Sequence, residues 1–187
     1  MRSPRYDIPK LAPEPLRLVQ RFVNTADRHN GREWLAAPDD LRAWLGQAGS
    51  PVDELGPTEL RRAVELREAL RSLASANNGE ARDLNAVAAL NHAARSGGLA
   101  PALSETGEIR LECAGVGFDA AMCRLLAIAF ESMVDGSWVR LKACRECHWL
   151  FYDYSRNHSA NWCSMQICGN RAKAKAFRQR RTEGARR

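Results

Sequence analysis

Apolar side chains recur along most of this chain at the three- and four-residue spacing of a helix that buries one side. Leu18, Val19, Phe22, Val23 and Ala26 predict a helix over Pro15 to Asp27. Asp39 to Gln47 predicts a short one, closed by Gly49-Ser50-Pro51. A longer helix is expected from Thr58, as N-cap, to about Ala76, with Leu66, Ala69, Leu70 and Leu73 on one face and Asn77-Asn78-Gly79 as its stop. Ala81 to Ala94 predicts another, aligning Leu84, Val87, Ala88 and Asn91 ahead of Gly97-Gly98. The pattern then changes: Leu99 to Ser104 and Glu108 to Cys113 flank Glu105-Thr106-Gly107 and predict a β-hairpin. The longest apolar helix follows, Asp119 to Val134, with Met122, Leu125, Leu126, Ala129 and Met133 on one face, and is the candidate central core helix. Beyond Asp135-Gly136-Ser137, Trp138 to Ala143 reads as a strand. The alternating large residues between His148 and Tyr154 read as a strand returning.

The apolar fraction of 45% is enough for a core, and so much of it is alanine that close-packed helices are favoured over a sandwich of strands. No run of about 18 apolar residues occurs, which excludes a membrane-spanning helix. Met1 to Lys10 carries charges and prolines without an apolar stretch, so no secretory signal is expected and the expected location is cytoplasmic. Charge adds an asymmetry that hydropathy does not show. From Arg140 to Arg187 there are 12 Lys+Arg against 3 Asp+Glu, whereas the preceding 139 residues carry 16 against 19. The net charge of +6 therefore belongs to the C-terminal segment, whose field suits a polyanionic partner; a solvated basic terminus is the plainer explanation.

Cysteines divide in the same way. Cys113 and Cys123 stand apart in apolar surroundings and are expected as buried, inert thiols. Cys144-x2-Cys147 and Cys163-x4-Cys168 are two close pairs separated by fifteen residues. A C-x-x-C knuckle aims both sulfurs at one centre, and a second pair completes a tetrahedron with Zn–S distances of about 2.3 Å. With four thiolates as ligands no position is left for water, so one structural rather than catalytic Zn2+ is expected. A redox C-x-x-C leaves the second pair unexplained; an iron–sulfur cluster is the other use of four thiolates.

After Cys168 the chain is alanine-rich and free of proline, which favours helix. At 100° per residue, Arg171, Lys175 and Arg178 form one cationic stripe, and Phe177 falls on a different face, from which it is expected to dock on the zinc core. Together with Lys173, Arg180, Arg181 and, between the cysteine pairs, Arg156 and Asn157, these are the candidate nucleic-acid contacts. In the N-terminal part, Asn24, Thr25 and Trp34 are the candidate ligand-binding residues, although a capped helix end with packed neighbours is the simpler explanation of them. Neither nucleophile elbow, P-loop nor H-E-x-x-H occurs, and no enzymatic activity is expected.

Arg140-Leu-Lys-Ala-Cys144, Cys147-His-Trp-Leu-Phe151, Ser155-Arg156-Asn157, Trp162-Cys163-Ser-Met165 and Cys168-Gly-Asn-Arg171-Ala-Lys173 together closely resemble the CGNR zinc finger. That finger typically ends bacterial proteins whose N-terminal part is the ABATE domain, described as stress-induced transcription regulators, and Phe22-Val23-Asn24-Thr25 resembles a short signature of that domain. The resemblance implies zinc on Cys144, Cys147, Cys163 and Cys168 and nucleic-acid binding by the finger. The expected fold is mainly α with small β: a helical body with a β-hairpin (residues 1–137) and a zinc-binding ββα-like module (residues 138–187). The expected role is a bacterial regulator binding DNA in preference to RNA, whose body senses a small molecule or pairs as a homodimer. The alternative is an RNA-binding or protein-interaction zinc module without sensing.

Overall fold

The computed structural model describes residues 10–184. Helix α1 spans Leu16–Val23 and stops earlier than its apolar stripe suggests. Ala26, the last position of that stripe, is buried from a two-residue strand instead: β1 (Ala26–Asp27) pairs antiparallel with β2 (Arg32–Glu33). The Asp27 carboxylate accepts the backbone N–H groups of His29 and Asn30 at 3.1 and 3.2 Å and closes the turn that Asn30-Gly31 makes sterically accessible, Gly31 having φ +63°.

Helix α2 (Pro38–Gln47) and helix α3 (Pro57–Ala76) follow. The N-cap of α3 is Gly56 rather than Thr58: proline takes the first helical position, and the Glu59 carboxylate accepts the Gly56 N–H at 2.9 Å. Helix α4 (Leu84–Ser96) is capped by Asp83, whose carboxylate accepts the Asn85 N–H. Its inward face is Ala86 and Leu90, not the line through Leu84, which is 76% exposed. Strands β3 (Leu99–Leu103) and β4 (Ile109–Cys113) form the expected hairpin, in register from Leu99 opposite Cys113 to Leu103 opposite Ile109. Pro101 is tolerated because a two-stranded ribbon leaves an edge free of ladder bonds.

Helix α5 (Gly117–Val134) is the centre of the body: ten of its residues are buried, including Met122, Leu125, Leu126 and Ala129, and it packs on α1, α4 and β4. Truncating Leu126, which is fully buried, to alanine would cost about 2–5 kcal/mol on the usual scale for core leucines. Cys113 and Cys123 are not separate thiols. The end of β4 lies on the first turns of α5 and brings the two sulfurs to 2.20 Å, a disulfide. Gly97 makes room for it, since a Cβ there would stand 2.5 Å from the Cys123 Cβ.

Trp138–Arg140 forms a 3-10 turn, so the strand predicted from Trp138 shortens to β5 (Leu141–Ala143), paired antiparallel with β6 (Leu150–Tyr152). Leu141, Ala143, Leu150 and Tyr152 are buried in the same core as α1, α3 and α5. A single π-helical turn (Met165–Gly169) leads into α6 (Asn170–Gly184). The molecule is mainly helical with short hairpins and a C-terminal cysteine-rich module.

Candidate metal centre and the basic helix it anchors

Strand β5 delivers Cys144, and β6 leaves from Leu150, so the knuckle Cys144–Trp149 is a hairpin turn of fixed register. Within it the Cys144 N–H donates to Trp149 O at 3.0 Å and the His148 N–H to Cys144 O at 2.8 Å. His148 adopts φ +58°, the left-handed region that costs a non-glycine residue about 1 kcal/mol or more. The second pair is shaped by Ser164, whose carbonyl accepts the N–H groups of Cys168 (2.9 Å) and Gly169 (3.0 Å).

The four sulfurs of Cys144, Cys147, Cys163 and Cys168 lie within 4.8 Å of one another, and all four residues are buried. Cys163 Sγ is 3.6 Å from Cys147 Sγ and 3.7 Å from Cys168 Sγ. A tetrahedron with metal–sulfur bonds of about 2.3 Å has edges of about 3.8 Å, so the donor set fits a tetrahedral metal without rearrangement. The protons of the four thiols are mutually dependent. Hydrogen bonding from Cys147, then from Cys163 and Cys168, holds the Cys144 thiol down; Cys147 is raised chiefly because it is the donor to Cys144. Sulfurs this close ionise together only around a cation. Phe151 packs directly on the cysteines, with Trp149, Trp162 and Ile167 at the flank.

Side chains that sequence patterns did not mark hold this centre in place. Lys142 Nζ donates to Asp153 Oδ2 at 2.8 Å and also to the carbonyls of His158 and Ala160, while Asp153 accepts from the N–H groups of Ser155 (2.9 Å) and Ala160 (3.0 Å). Burial opposes ionisation of Asp153, but the Lys142 ammonium and the Ser155 and Ala160 donors outweigh it and bring its pKa to about 2. Asn78, at the end of α3, donates its amide to Ala143 O (2.7 Å) and Asn161 O (3.0 Å), one contact beside each cysteine pair. Arg71 of α3 donates to His148 O (2.8 Å) and to Val23 O (2.7 Å) and pairs with Glu68, tying the strained knuckle to α1. The only sequence trace of Asn78 was its place in a helix-stopping Asn-Asn-Gly.

Asn24, Thr25 and Trp34 do line one shallow cavity, of about 330 Å³, with Asp40 and Trp44 among its other walls. Their polar atoms already have partners. The Asn24 amide exchanges two hydrogen bonds with the Leu150 backbone, at 2.8 and 2.9 Å, and the Thr25 hydroxyl donates to Phe22 O and accepts from buried Arg67. Arg156 and Asn157 are exposed in the turn between the cysteine pairs. Along α6, Arg171, Lys173, Lys175, Arg178, Arg180 and Arg181 are all exposed; of its side chains from Asn170 to Glu183 only Ala172 and Ala176 are half-buried. Arg171 reaches the His29 ring. Phe177 does not dock on the zinc core: it is 56% exposed, and the Arg181 guanidinium lies 5.9 Å over its ring. Periodicity assigned it a face, but no element of the described chain covers that face.

A closed four-cysteine centre stapling a basic helix to a helical body defines a small zinc-finger protein. The chain belongs to the ABATE family, described as "Putative stress-induced transcription regulator", whose model matches residues 16–135, and the CGNR zinc finger model matches residues 140–181. The four cysteines thus form a site for one structural zinc. Both descriptions are of a regulator or a zinc finger and neither is of an enzyme. No curated protein matches the chain. Among the described residues, no helix is long and apolar enough to cross a membrane.

Proposed function

We propose that this protein is a cytoplasmic regulator that binds nucleic acid, duplex DNA in preference to RNA, through the cationic flank of α6. The observation that carries this is the state of the α6 cations: six exposed Lys and Arg side chains, none in an ion pair with a carboxylate among the described residues, on a helix that starts two residues after a zinc ligand. Exposed cations that no carboxylate neutralises, held on a rigid element, are available to displace the counterions of a phosphate backbone. The helical body is the sensing or pairing half of the regulator. A second copy related by symmetry would double the phosphate contacts that one small module offers.

The test is affinity against salt concentration for duplex DNA, single-stranded DNA and structured RNA. Changing Arg171, Lys175 and Arg178 together to Gln should weaken duplex binding at every sequence and flatten the salt slope by roughly 0.9 per lost contact, about 2.7 for all three. An unchanged slope returns the stripe to a solvated helix face. Tighter binding to structured RNA than to duplex would favour the RNA-module alternative.

A further inference from the structure

A groove of about 390 Å³ opens where the C-terminal half of α3, helix α4, the end of α5 and the 3-10 turn meet. Its apolar lining includes Leu90, Phe130, Met133, Trp138 and Val139. Leu90 and Trp138 form its buried floor, while Met133 and Val139 stand at the rim, 38% and 49% exposed. At the mouth lies Arg82, in the loop between α3 and α4. No Asp or Glu lines the groove, and the Arg82 guanidinium has no hydrogen bond or ion pair among the described residues.

This volume is more than twice the ~150 Å³ of a cavity that accommodates benzene, so it takes one or two rings or a chain of comparable bulk. An apolar interior with one unmatched cation at its entrance selects an apolar body carrying a single anionic head, and a guanidinium meets a carboxylate in two parallel hydrogen bonds. We propose that this groove binds a hydrophobic monocarboxylate, with its head on Arg82 and its body against Phe130, Met133 and Trp138.

The floor of the groove connects to the zinc centre. Asn77, another lining residue, donates its amide to Trp138 O (2.8 Å) and Leu141 O (2.9 Å). Leu141 begins the strand that leads into Cys144, and neighbouring Asn78 clamps both cysteine pairs. A ligand pressed on Trp138 therefore touches the turn that sets where β5 enters the module. The inference rests on the sensing half of the reading above. Because it is tested by direct binding without nucleic acid, its failure and a failure of nucleic-acid binding are separate results.

Zinc-loaded full-length protein would be titrated calorimetrically with octanoate and 1-naphthoate, and with octanamide and 1-naphthamide as neutral isosteres. At least one carboxylate should saturate with a Kd below about 1 mM and bind about tenfold more tightly than its amide. Saturation by octanoate alone assigns linear chains, and by 1-naphthoate alone aromatic acids; either supports the site. Arg82→Gln, on the exposed loop, should erase the preference for carboxylate and leave amide binding unchanged, and Met133→Gln should weaken both. Absence of saturable carboxylate binding, or a preference that survives Arg82→Gln, overturns the proposal. So does a dimer broken by Met133→Gln in a protein that binds neither acid, since the groove then belongs to a second copy.

Discussion

Asn78 offers the sharpest test of how the body holds the metal centre. The residue is buried, and its amide donates to Ala143 O and Asn161 O, the first just before Cys144 and the second two residues before Cys163. Asn78→Ala removes both donors and strands two acceptors, at about 1–3 kcal/mol for each acceptor that stays dry. One term runs the other way. Asn78 Oδ1 is itself buried without a hydrogen-bond partner, and its deletion relieves a desolvation cost of similar kind. The net destabilisation should be about 1–3 kcal/mol, less than the two lost bonds alone suggest. Asn78→Asp is the harsher change, since it sets a carboxylate against two carbonyl oxygens in a buried site, and should exceed the alanine variant by about 2 kcal/mol or more.

The two variants would be compared with wild type by denaturant unfolding of the zinc-loaded protein and by chelator competition for zinc. Holding the cysteine pairs in register is part of the folding free energy that metal binding reports, so zinc affinity should fall in the order wild type, Asn78→Ala, Asn78→Asp. Wild-type stability and zinc affinity in Asn78→Ala would refute the clamp. An alanine variant worse than the aspartate would refute the hydrogen-bond explanation and point to packing.

Further expectations concern the metal and its surroundings. Elemental analysis should give one zinc per chain, and Cys163→Ser should lose it; limited proteolysis should then begin beyond Asp153, while β5 and β6, buried in the body's core, resist. Metal-free wild-type protein with four freely titratable thiols in that module would contradict this. The Asp153 carboxyl is held below its ordinary value, at about 2 against 3.8, so it contributes stability that is complete above about pH 4 and fades as pH falls towards 2. Its contribution is about 2–3 kcal/mol, and zinc is released by thiolate protonation at higher pH. Melting curves of zinc-saturated protein between pH 7 and 5 should therefore show no pH dependence that Asp153→Asn removes.

The elements and the ligands were legible in the sequence for a common reason: each is a local pattern. Leu125, Leu126 and Ala129 repeat at helical spacing because α5 buries one continuous face, and the cysteine pairs are close in sequence because a knuckle is a turn. What remained hidden joins residues far apart. Asn24 meets Leu150, Arg71 meets His148, and Asn78 meets Ala143, across 126, 77 and 65 positions, and nothing in either neighbourhood marks the partner. Asn24 and Thr25 illustrate the ambiguity, since polar residues after an apolar stripe are compatible with a ligand site and with a backbone clamp. Local signals also marked faces without saying what covers them, which explains the misplacement of Leu84 and Phe177. The hairpin at Asp27 was detectable in principle, because Asn30-Gly31 is a turn dipeptide just past the end of a stripe that looked helical.

The basic C-terminal segment is less uniform than its charge implies. Three of its cations are engaged by the chain itself: Lys142 is buried on Asp153, half-buried Arg140 donates to Asp153 O (2.9 Å), and Arg145, although exposed, donates to Asn78 O (2.8 Å). These precede the second cysteine pair and fasten loops, whereas Arg156 and the cations of α6 point outward. Charge counting treats both sets alike, but the head groups of the first are held on backbone carbonyls, and the second set is the one placed to release counterions from a phosphate backbone. Arg140 and Arg178 separate the two roles. Arg140→Gln removes a hydrogen bond inside the module and should lower stability by about 1 kcal/mol while leaving the salt slope for duplex DNA unchanged. Arg178→Gln, on the exposed stripe, should leave stability within about 0.5 kcal/mol of wild type and reduce the slope by about 0.9. Unfolding curves and salt titrations on the same two proteins decide the matter. If Arg140→Gln flattens the slope as much as Arg178→Gln does, the division between fastening and binding cations is wrong, and the segment acts on its partner as an undifferentiated positive field.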